Sequence, residues 1–415
     1  MNIAALVMAG GQGERLYPLT KNRAKPAVPF GGEYRIIDFT LSNCVNSRIR
    51  KIFILTQYKS ISLHRHLRQA WSILPNQLGE FVEVIPPQQR VSQEWYQGTA
   101  DAIYQNIYSL EGERSSHFLI LSGDHIYKMD YSTMLDYHLE KKAEVTLCAI
   151  EVEKEESPHL GVVEVDEDNR IRGFQEKPQE PKVLPGKPDY IFASMGIYIF
   201  NRDTLFRCLE EDSKNIDSSH DFGRDVLPRL VSQGARVYAY SFHDENRKQE
   251  HYWKDVGTID AYYEANMDLV SVDPHLNLYD SNWPIFTFHS QSPPAKTVHS
   301  EFKRTGMLIE SIISNGCIVS GANIFRCVIS PDVRINSYSE ISNSIIFSRV
   351  DIGRYCRIRR AIIDKDIHVP PGTVIGFNPE EDRKRYTVTD SGITVVCAGD
   401  LETVRTDQQG KFISG

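Results

Sequence analysis

The sequence predicts an α/β domain on a mixed, mostly parallel sheet, followed by a parallel β-helix with triangular coils. Three observations lead there. Short β-rich runs alternate with amphipathic stretches up to about residue 270, all periodicity lapses over 271–305, and isoleucines then recur every six positions. Strand–helix alternation implies βαβ units and a sheet covered on both faces. Period six suits neither a helix nor a flat sheet, but it suits a coil of three short faces, each pointing one aliphatic residue inward.

The chain has 415 residues, 41% hydrophobic and 25% charged, a composition too apolar for a disordered protein. Its length fits two or three domains, each burying its own core. No apolar run approaches the ~18 residues of a membrane span. Residues 1–8 lack a basic leader and run into a glycine turn, which reads as a first strand and not as a targeting segment. Seven cysteines without any C-x-x-C fit reduced, buried thiols and a cytoplasmic location. A formal charge of -8 argues against nucleic acid or membrane as a general partner.

In chain order, the expected strands are 3–8, 51–56, 117–122, 145–150, 194–200 and 235–242. The helical patterns between them cover 40–47, 99–110, 132–141, 203–211 and 221–233. Together they make a domain of residues 1–270. The segment 271–305, with Pro274, Pro284, Pro293 and Pro294, reads as an interdomain linker that packs on something. Residues 306–400 form the β-helix and 401–415 a tail. Its register runs Ile312, Ile318, Ile324; Ile329, Ile335, Ile341; Ile346, Ile352, Ile358; and Ile363, Val369, Ile375, one coil every 17 residues. Ala322, Ser339, Cys356 and Thr373 precede the third face of each coil by two places and suit a tapering interior.

In such sheets ligands sit beyond the carboxyl ends of strands. The first strand empties into Gly10, Gly11 and Gly13, whose backbone can approach and cradle a phosphate. Neither the dinucleotide fingerprint nor the P-loop is met, so a plain tight turn stays open on the glycines alone. Residues 1–35 carry Arg15, Lys21, Arg23, Lys25 and Arg35 against Glu14 and Glu33, a cationic excess suited to a polyanion or to a solvated basic edge. Asp124 and Asp255 each follow a β-like run. Such aspartates cap helices or hold Mg²⁺, a hard ion that takes one or two carboxylates plus substrate phosphates. His64 and His66 read as a surface or interface feature, since no third ligand sits at helical spacing.

Gly10-Gly11-x-Gly13-x-Arg15-Leu16 followed by Ala24-Lys25-Pro26 resembles the signature of nucleotide-sugar pyrophosphorylases. Within that superfamily the chain resembles the glucose-1-phosphate adenylyltransferases. The motifs are Phe30-Gly31-Gly32, Arg35-Ile36-Ile37-Asp38-Phe39, Leu41-Ser42-Asn43-Cys44, Trp95-Tyr96-x-Gly98-Thr99, Gly123-Asp124-His125-Ile126-Tyr127-Lys128, Ala193-Ser194-Met195-Gly196, Ser219-His220-Asp221-Phe222-Gly223, Trp253-x-Asp255-Val256-Gly257-Thr258 and Asn282-Trp283-Pro284-Ile285. The match covers nearly the whole chain.

That resemblance implies a Rossmann-like nucleotidyltransferase domain, a left-handed β-helix, and transfer of AMP from ATP to glucose 1-phosphate in bacterial glycogen synthesis. It implies Mg²⁺ on Asp124 and Asp255, with Arg15 and Lys25 stabilising the triphosphate. ATP would lie on Gly10, Gly11 and Gly13, its base near Gln88, Trp95, Gly98 and Thr99. The sugar phosphate would meet Tyr96, Gly161, Glu176, Lys177 and Ser194. Family members are homotetramers with effectors (sugar phosphates, AMP or phosphate) bound between the two domains, where Arg23, Arg35 and Lys365 match. Asn22 and Pro29 depart from activator-site residues of some bacterial members, so the effector stays open.

Other readings are the same fold transferring UMP, dTMP or GMP, and a non-catalytic regulatory subunit. The second is opposed by the retention of Arg15, Lys25, Asp124, Lys177 and Asp255. An acyltransferase in the β-helix is opposed by His368 being the one histidine in 306–400.

Overall fold

The structure is a computed structural model. It describes all residues except 1, 88–94, 247, 249–250, 302–303, 402–404, 407–411 and 414–415. Strands Ile3–Ala9, Lys51–Thr56, Phe81–Ile85 and His117–Ser122 run parallel, with His117–Ser122 and Lys51–Thr56 flanking Ile3–Ala9. Tyr190–Asn201 joins antiparallel to His117–Ser122 and to Val145–Glu153, and Val237–Ser241 extends the sheet parallel to Val145–Glu153. A hairpin of Gly161–Val165 and Ile171–Glu176 completes this mixed sheet of nine strands.

Its central strands are apolar at successive positions because both faces are covered. Ala5, Val7, Ile52, Ile54, Leu119 and Leu121 enter one core. Ala4, Leu6, Phe53, Leu55, Phe118 and Ile120 enter the other. Phe81–Ile85 and helix Ile61–Ala70 add to the elements expected from the sequence, and helix Ile259–Asp268 starts after Thr258. The single helix expected over 99–110 is two short ones, Thr99–Tyr104 and Ile107–Glu111. Asn106 lies at the break, donating to Ala102 O (2.7 Å) and Tyr96 Oη (2.8 Å), a polar side chain that competes with the helix ladder. All seven cysteines are buried and free. No helix is long and apolar enough to cross a membrane among the described residues.

The C-terminal part is a left-handed β-helix with three parallel ladders. One face stacks Lys296–Val298, Ile318–Ser320, Arg334–Ile335, Asp351–Ile352 and His368–Val369. Its first strand lies inside 271–305, so that segment supplies a rung. Corners fall where left-handed backbone recurs, as at Arg326, Asn343 and Arg360 and again at Asp332, Arg349 and Asp366.

The inward register departs from expectation in the first coil. Val319, not Ile318, aligns with Ile335, Ile352 and Val369, and Ile313, not Ile312, aligns with Ile329, Ile346 and Ile363. Ile324, Ile341, Ile358 and Ile375 align as the period predicts. The first coil is one residue short between Val319 and Ile324, which slides its earlier positions by one. Ile312 faces outward with Val328, Ile345, Ile362 and Val395. That outward column is apolar because it packs on the α/β domain, in one core with Leu16, Phe30, Phe39, Tyr262 and Tyr263. The two domains therefore share a continuous hydrophobic interface.

Candidate active site

The carboxyl ends of Ile3–Ala9, Lys51–Thr56 and His117–Ser122 open together onto a cleft of about 800 Å³. Gly10, Gly11, Gly13, Arg15, Lys25, Tyr96, Gly98, Thr99 and Asp124 all line it. Gly13 has φ 64°, a left-handed conformation that favours glycine, and a Cβ there would lie 3.1 Å from Lys25 Cβ. The phosphate-type turn is thus packed directly on the lysine. Gly98 answers to a different constraint. Its backbone is extended, but a Cβ would fall 2.2 Å from the His220 carbonyl oxygen. Ala100 N donates to that same oxygen at 2.8 Å, fixing the loop against the start of the next helix.

Asp124 follows His117–Ser122 through Gly123. Asp255 is brought to it by a small ladder in which Trp253–Asp255 runs antiparallel to His125–Tyr127, Asp255 opposite His125. Lys25 Nζ sits between the carboxylates, 2.6 Å from Asp255 Oδ1 and 3.0 Å from Asp124 Oδ2. Arg15 approaches Asp255 Oδ2 at 3.5 Å, the Ser122 hydroxyl donates to Asp124 Oδ1, and His125 Nε2 lies 3.7 Å from that oxygen. Burial disfavours the Lys25 ammonium, yet the Asp124 and Asp255 carboxylates raise its pKa above the usual lysine range. Burial likewise opposes ionisation of Asp124, but His125, Lys25 and the Ser122 hydroxyl hold it below the usual range. Burial pushes the His125 imidazole down. The result is a charged lysine held between two carboxylates at the edge of the cleft.

Asp124, His125 and Asp255 can bring one ligand atom each within 4.8 Å of the others. Asp124 lines the cleft and Asp255 stands behind Lys25 beside it, and two carboxylates so placed are the oxygen-rich donor set of a hard divalent cation.

Gly161 and Glu176 are neighbours, a Gly161 Cβ falling 3.4 Å from Glu176 Oε2. Both adjoin Phe174, whose ring lies against Gly223 beside the cleft-lining Asp221. Glu176 Oε1 lies 3.5 Å from Arg224 Nη2. Lys177 has φ 50° and its N–H donates to Leu160 O. Ser194 accepts from Gly196 N at 3.3 Å, at an irregularity in its strand. These four residues and Trp95 do not line the main cleft. Trp95 stacks on Tyr58, which does, with ring centroids 5.1 Å apart. Gln88 lies outside the described residues. Sequence reasoning missed Gln57 and Tyr58 on this wall. Position after the strand Lys51–Thr56 was the available signal.

A second cleft, of about 410 Å³, lies between the domains. Arg35 and Lys365 line it together with Arg65 and Arg349. Arg23 does not: its guanidinium is buried against Asp364, at 2.8 and 2.9 Å. Burial, Arg23, Arg349 and Arg65 outweigh Asp38 and push the Arg35 pKa down to about 10. Burial and the neighbouring Arg23 lower that of Lys365. Nearby, His66 is buried, 2.6 Å from Asp38, on the wall of the interdomain cleft, so of its two readings, surface or interface, the surface one does not apply. Asp38 also accepts from Trp71 Nε1 and Thr287 Oγ1, so it needs a fully enclosed set of donors.

Residues 4–272 match the family model described as nucleotidyl transferase, and 293–396 match a GlmU-like, C-terminal hexapeptide model. The chain is 56% identical over 393 residues to a glucose-1-phosphate adenylyltransferase of Koribacter versatilis, covering 94% of each protein. It is 52% identical over 401 residues to one of Rhodopirellula baltica (95% of this chain, 90% of that one). It is 50% identical over 394 residues to glucose-1-phosphate adenylyltransferase 2 of Vibrio cholerae (94% and 97%). With the sheet, the β-helix and the lysine–carboxylate cleft in place along that whole length, the chain belongs to the glucose-1-phosphate adenylyltransferase family.

Proposed function

We propose that this protein transfers the adenylyl group of ATP to α-D-glucose 1-phosphate, releasing pyrophosphate and forming ADP-glucose. The observation that carries the reading is the meeting of Lys25, Asp124 and Asp255 beside the Gly10–Gly13 turn. A sugar-phosphate oxygen attacks the α-phosphorus as the bond to the bridging oxygen of the β-phosphate breaks, and that oxygen leaves with its electron pair on pyrophosphate. No residue needs to form a covalent intermediate, so the chain's task is positioning and charge stabilisation.

Backbone N–H groups of Gly10, Gly11 and Gly13 hold the triphosphate, and Arg15 and Lys25 meet the charge that develops on the leaving pyrophosphate. Asp124 and Asp255 hold a divalent cation, which we take to be Mg²⁺. When bound it neutralises phosphate charge. The base rests by Gly98 and Thr99, with Trp95 at the edge of its site. Tyr96, Gly161, Glu176, Lys177 and Ser194 receive the sugar phosphate, Lys177 as a point charge on the phosphate and Glu176 as an acceptor for hydroxyls.

The interdomain cleft takes an anionic effector, a sugar phosphate, AMP or phosphate, on Arg35, Lys365, Arg65 and Arg349. Arg23 acts there through its hold on Asp364. The enzyme supplies the committed step of glycogen synthesis in the cytoplasm, as a homotetramer. The test is pyrophosphate release with Mg²⁺ and glucose 1-phosphate, comparing ATP, UTP, dTTP and GTP. Strong preference for ATP supports the proposal. Preference for another nucleotide, or silence with all four from folded protein, overturns it.

A further inference from the structure

Every carboxylate oxygen of the pair Asp124 and Asp255 has a neighbour. Lys25 Nζ takes Asp255 Oδ1 at 2.6 Å and Asp124 Oδ2 at 3.0 Å. Arg15 faces Asp255 Oδ2, while Ser122 and His125 face Asp124 Oδ1. The lysine side chain is almost wholly buried, whereas Asp255 is about one-third exposed. An ammonium therefore stands in the gap between two carboxylates that a bridging cation, with metal–oxygen distances of about 2.1 Å, has to enter. Ammonium and divalent cation repel at such range, and both require the same oxygens.

We propose that the Lys25 ammonium is a placeholder for the divalent cation, leaving the two carboxylates only when nucleotide phosphate oxygens offer it a new partner. The inference rests on the reading that Asp124 and Asp255 hold the metal. It adds that metal and nucleotide enter together, and that free metal binds the empty enzyme weakly. The chain is built for such an exchange. Lys25 opens a short turn, Lys25–Ala27, that is closed by Val28 N donating to Lys25 O and is stiffened by Pro26. The stem of the side chain packs on Gly13, at the floor of the phosphate turn. Rotation about its last bonds carries the ammonium from the carboxylates toward phosphate oxygens with the backbone at rest. The exchange leaves no buried charge unpaired: the carboxylates trade an ammonium for a metal, and the ammonium trades carboxylates for phosphate. Without the ammonium, the empty enzyme would hold two carboxylates together with Arg15 as their charged neighbour and the Ser122 hydroxyl and His125 imidazole as polar ones.

The probe is Mn²⁺, followed by the electron paramagnetic resonance of the free ion, with nucleotide-free full-length protein. Wild type is expected to bind Mn²⁺ weakly, and Lys25→Gln and Lys25→Met at least tenfold more tightly at one ion per subunit. Adding Asp124→Asn to Lys25→Gln should abolish that binding. Tight, micromolar binding by nucleotide-free wild type overturns the placeholder without recourse to a variant. Equal affinity in wild type and the Lys25 variants also overturns it, while leaving the carboxylates as the metal site. If folded Lys25→Gln, and wild type with ATP, both fail to retain Mn²⁺ at the protein, the metal reading falls and takes the placeholder with it.

Discussion

Arg23 and Asp364 form a buried ion pair across the junction of catalytic domain and β-helix, one guanidinium nitrogen, Nη2, reaching both carboxylate oxygens at 2.8 and 2.9 Å. Arg23 lies two residues before Lys25, and Asp364 directly precedes Lys365 of the interdomain cleft. The second nitrogen of the guanidinium, Nη1, is buried without a partner. Asp364→Ala would leave a full charge enclosed, a change that costs about 3–5 kcal/mol. Chemical denaturation is expected to register that loss, and Arg23→Met combined with Asp364→Leu should recover much of it.

The shifted register of the first coil makes a second prediction. Ile352 is fully buried in the prism, so Ile352→Ala should cost about 2–5 kcal/mol. Ile318, displaced from the inward column by Val319, is only half-buried, and Ile318→Ala should cost well under half as much. Urea midpoints of the two variants, compared at equal slope, check the assignment.

Gly98→Ala places a methyl group 2.2 Å from the His220 carbonyl oxygen, where backbone and not a flexible side chain must yield. The strand-to-helix loop on the nucleotide side of the cleft is expected to shift. A rise of tenfold or more in the KM for ATP, with a destabilisation of about 1–3 kcal/mol, is the expected outcome in steady-state kinetics and thermal unfolding.

The Lys25–Asp124 pair sets a pH window. Lys25 has a folded pKa above its ordinary 10.5, so its contribution is complete below that value and is lost as pH rises through the folded one. Asp124 is held below its ordinary 3.8, so its contribution is present above that value and is lost as pH falls through the folded one. Between about pH 8 and 9 neither group changes charge and the neighbouring His125, whose ordinary pKa of 6.5 burial lowers, is neutral folded or unfolded, so the stability they supply should be flat there. Unfolding of wild type and Asp124→Asn across that range should give a constant difference.

In the interdomain cleft, Arg349 now meets Asp366 at 2.6 and 3.1 Å while facing Arg35, Arg65 and Lys365 across the cavity. An arriving phosphate relieves the mutual repulsion of these cations. Arg349→Ala is expected to weaken inorganic phosphate binding about five- to tenfold in calorimetry, and added salt should narrow the difference.

Much of this molecule is legible in the sequence for local reasons. Strands 51–56 and 117–122 occur as expected because both faces of a central strand are buried and the apolar run carries its own boundaries. The glycines and Asp124 follow the strands Ile3–Ala9 and His117–Ser122, where ligands are met, so position along the chain already selects them, whereas Arg15 and Lys25 stand in short turns and are marked by their charge and by the motif they share. The coil period survives translation into structure wherever each coil keeps its length. It fails at Ile312 and Ile318, because one missing residue between Val319 and Ile324 is invisible among consecutive aliphatic pairs.

Sequence alone therefore determined the two architectures, their order and most of the charged groups near the cleft, since periodicity and turn chemistry are properties of neighbours along the chain. Tertiary structure decided the pairings between groups far apart in sequence. It set Lys25 between Asp124 and Asp255, drew Arg23 out of the interdomain cleft onto Asp364, and supplied Arg65 and Arg349 in its place. It also turned Val328, Ile345 and Ile362 outward onto the catalytic domain. The reason is physical: which charge meets which, and which apolar face is covered, depends on how two domains dock, and no local pattern encodes the distance between residues 23 and 364.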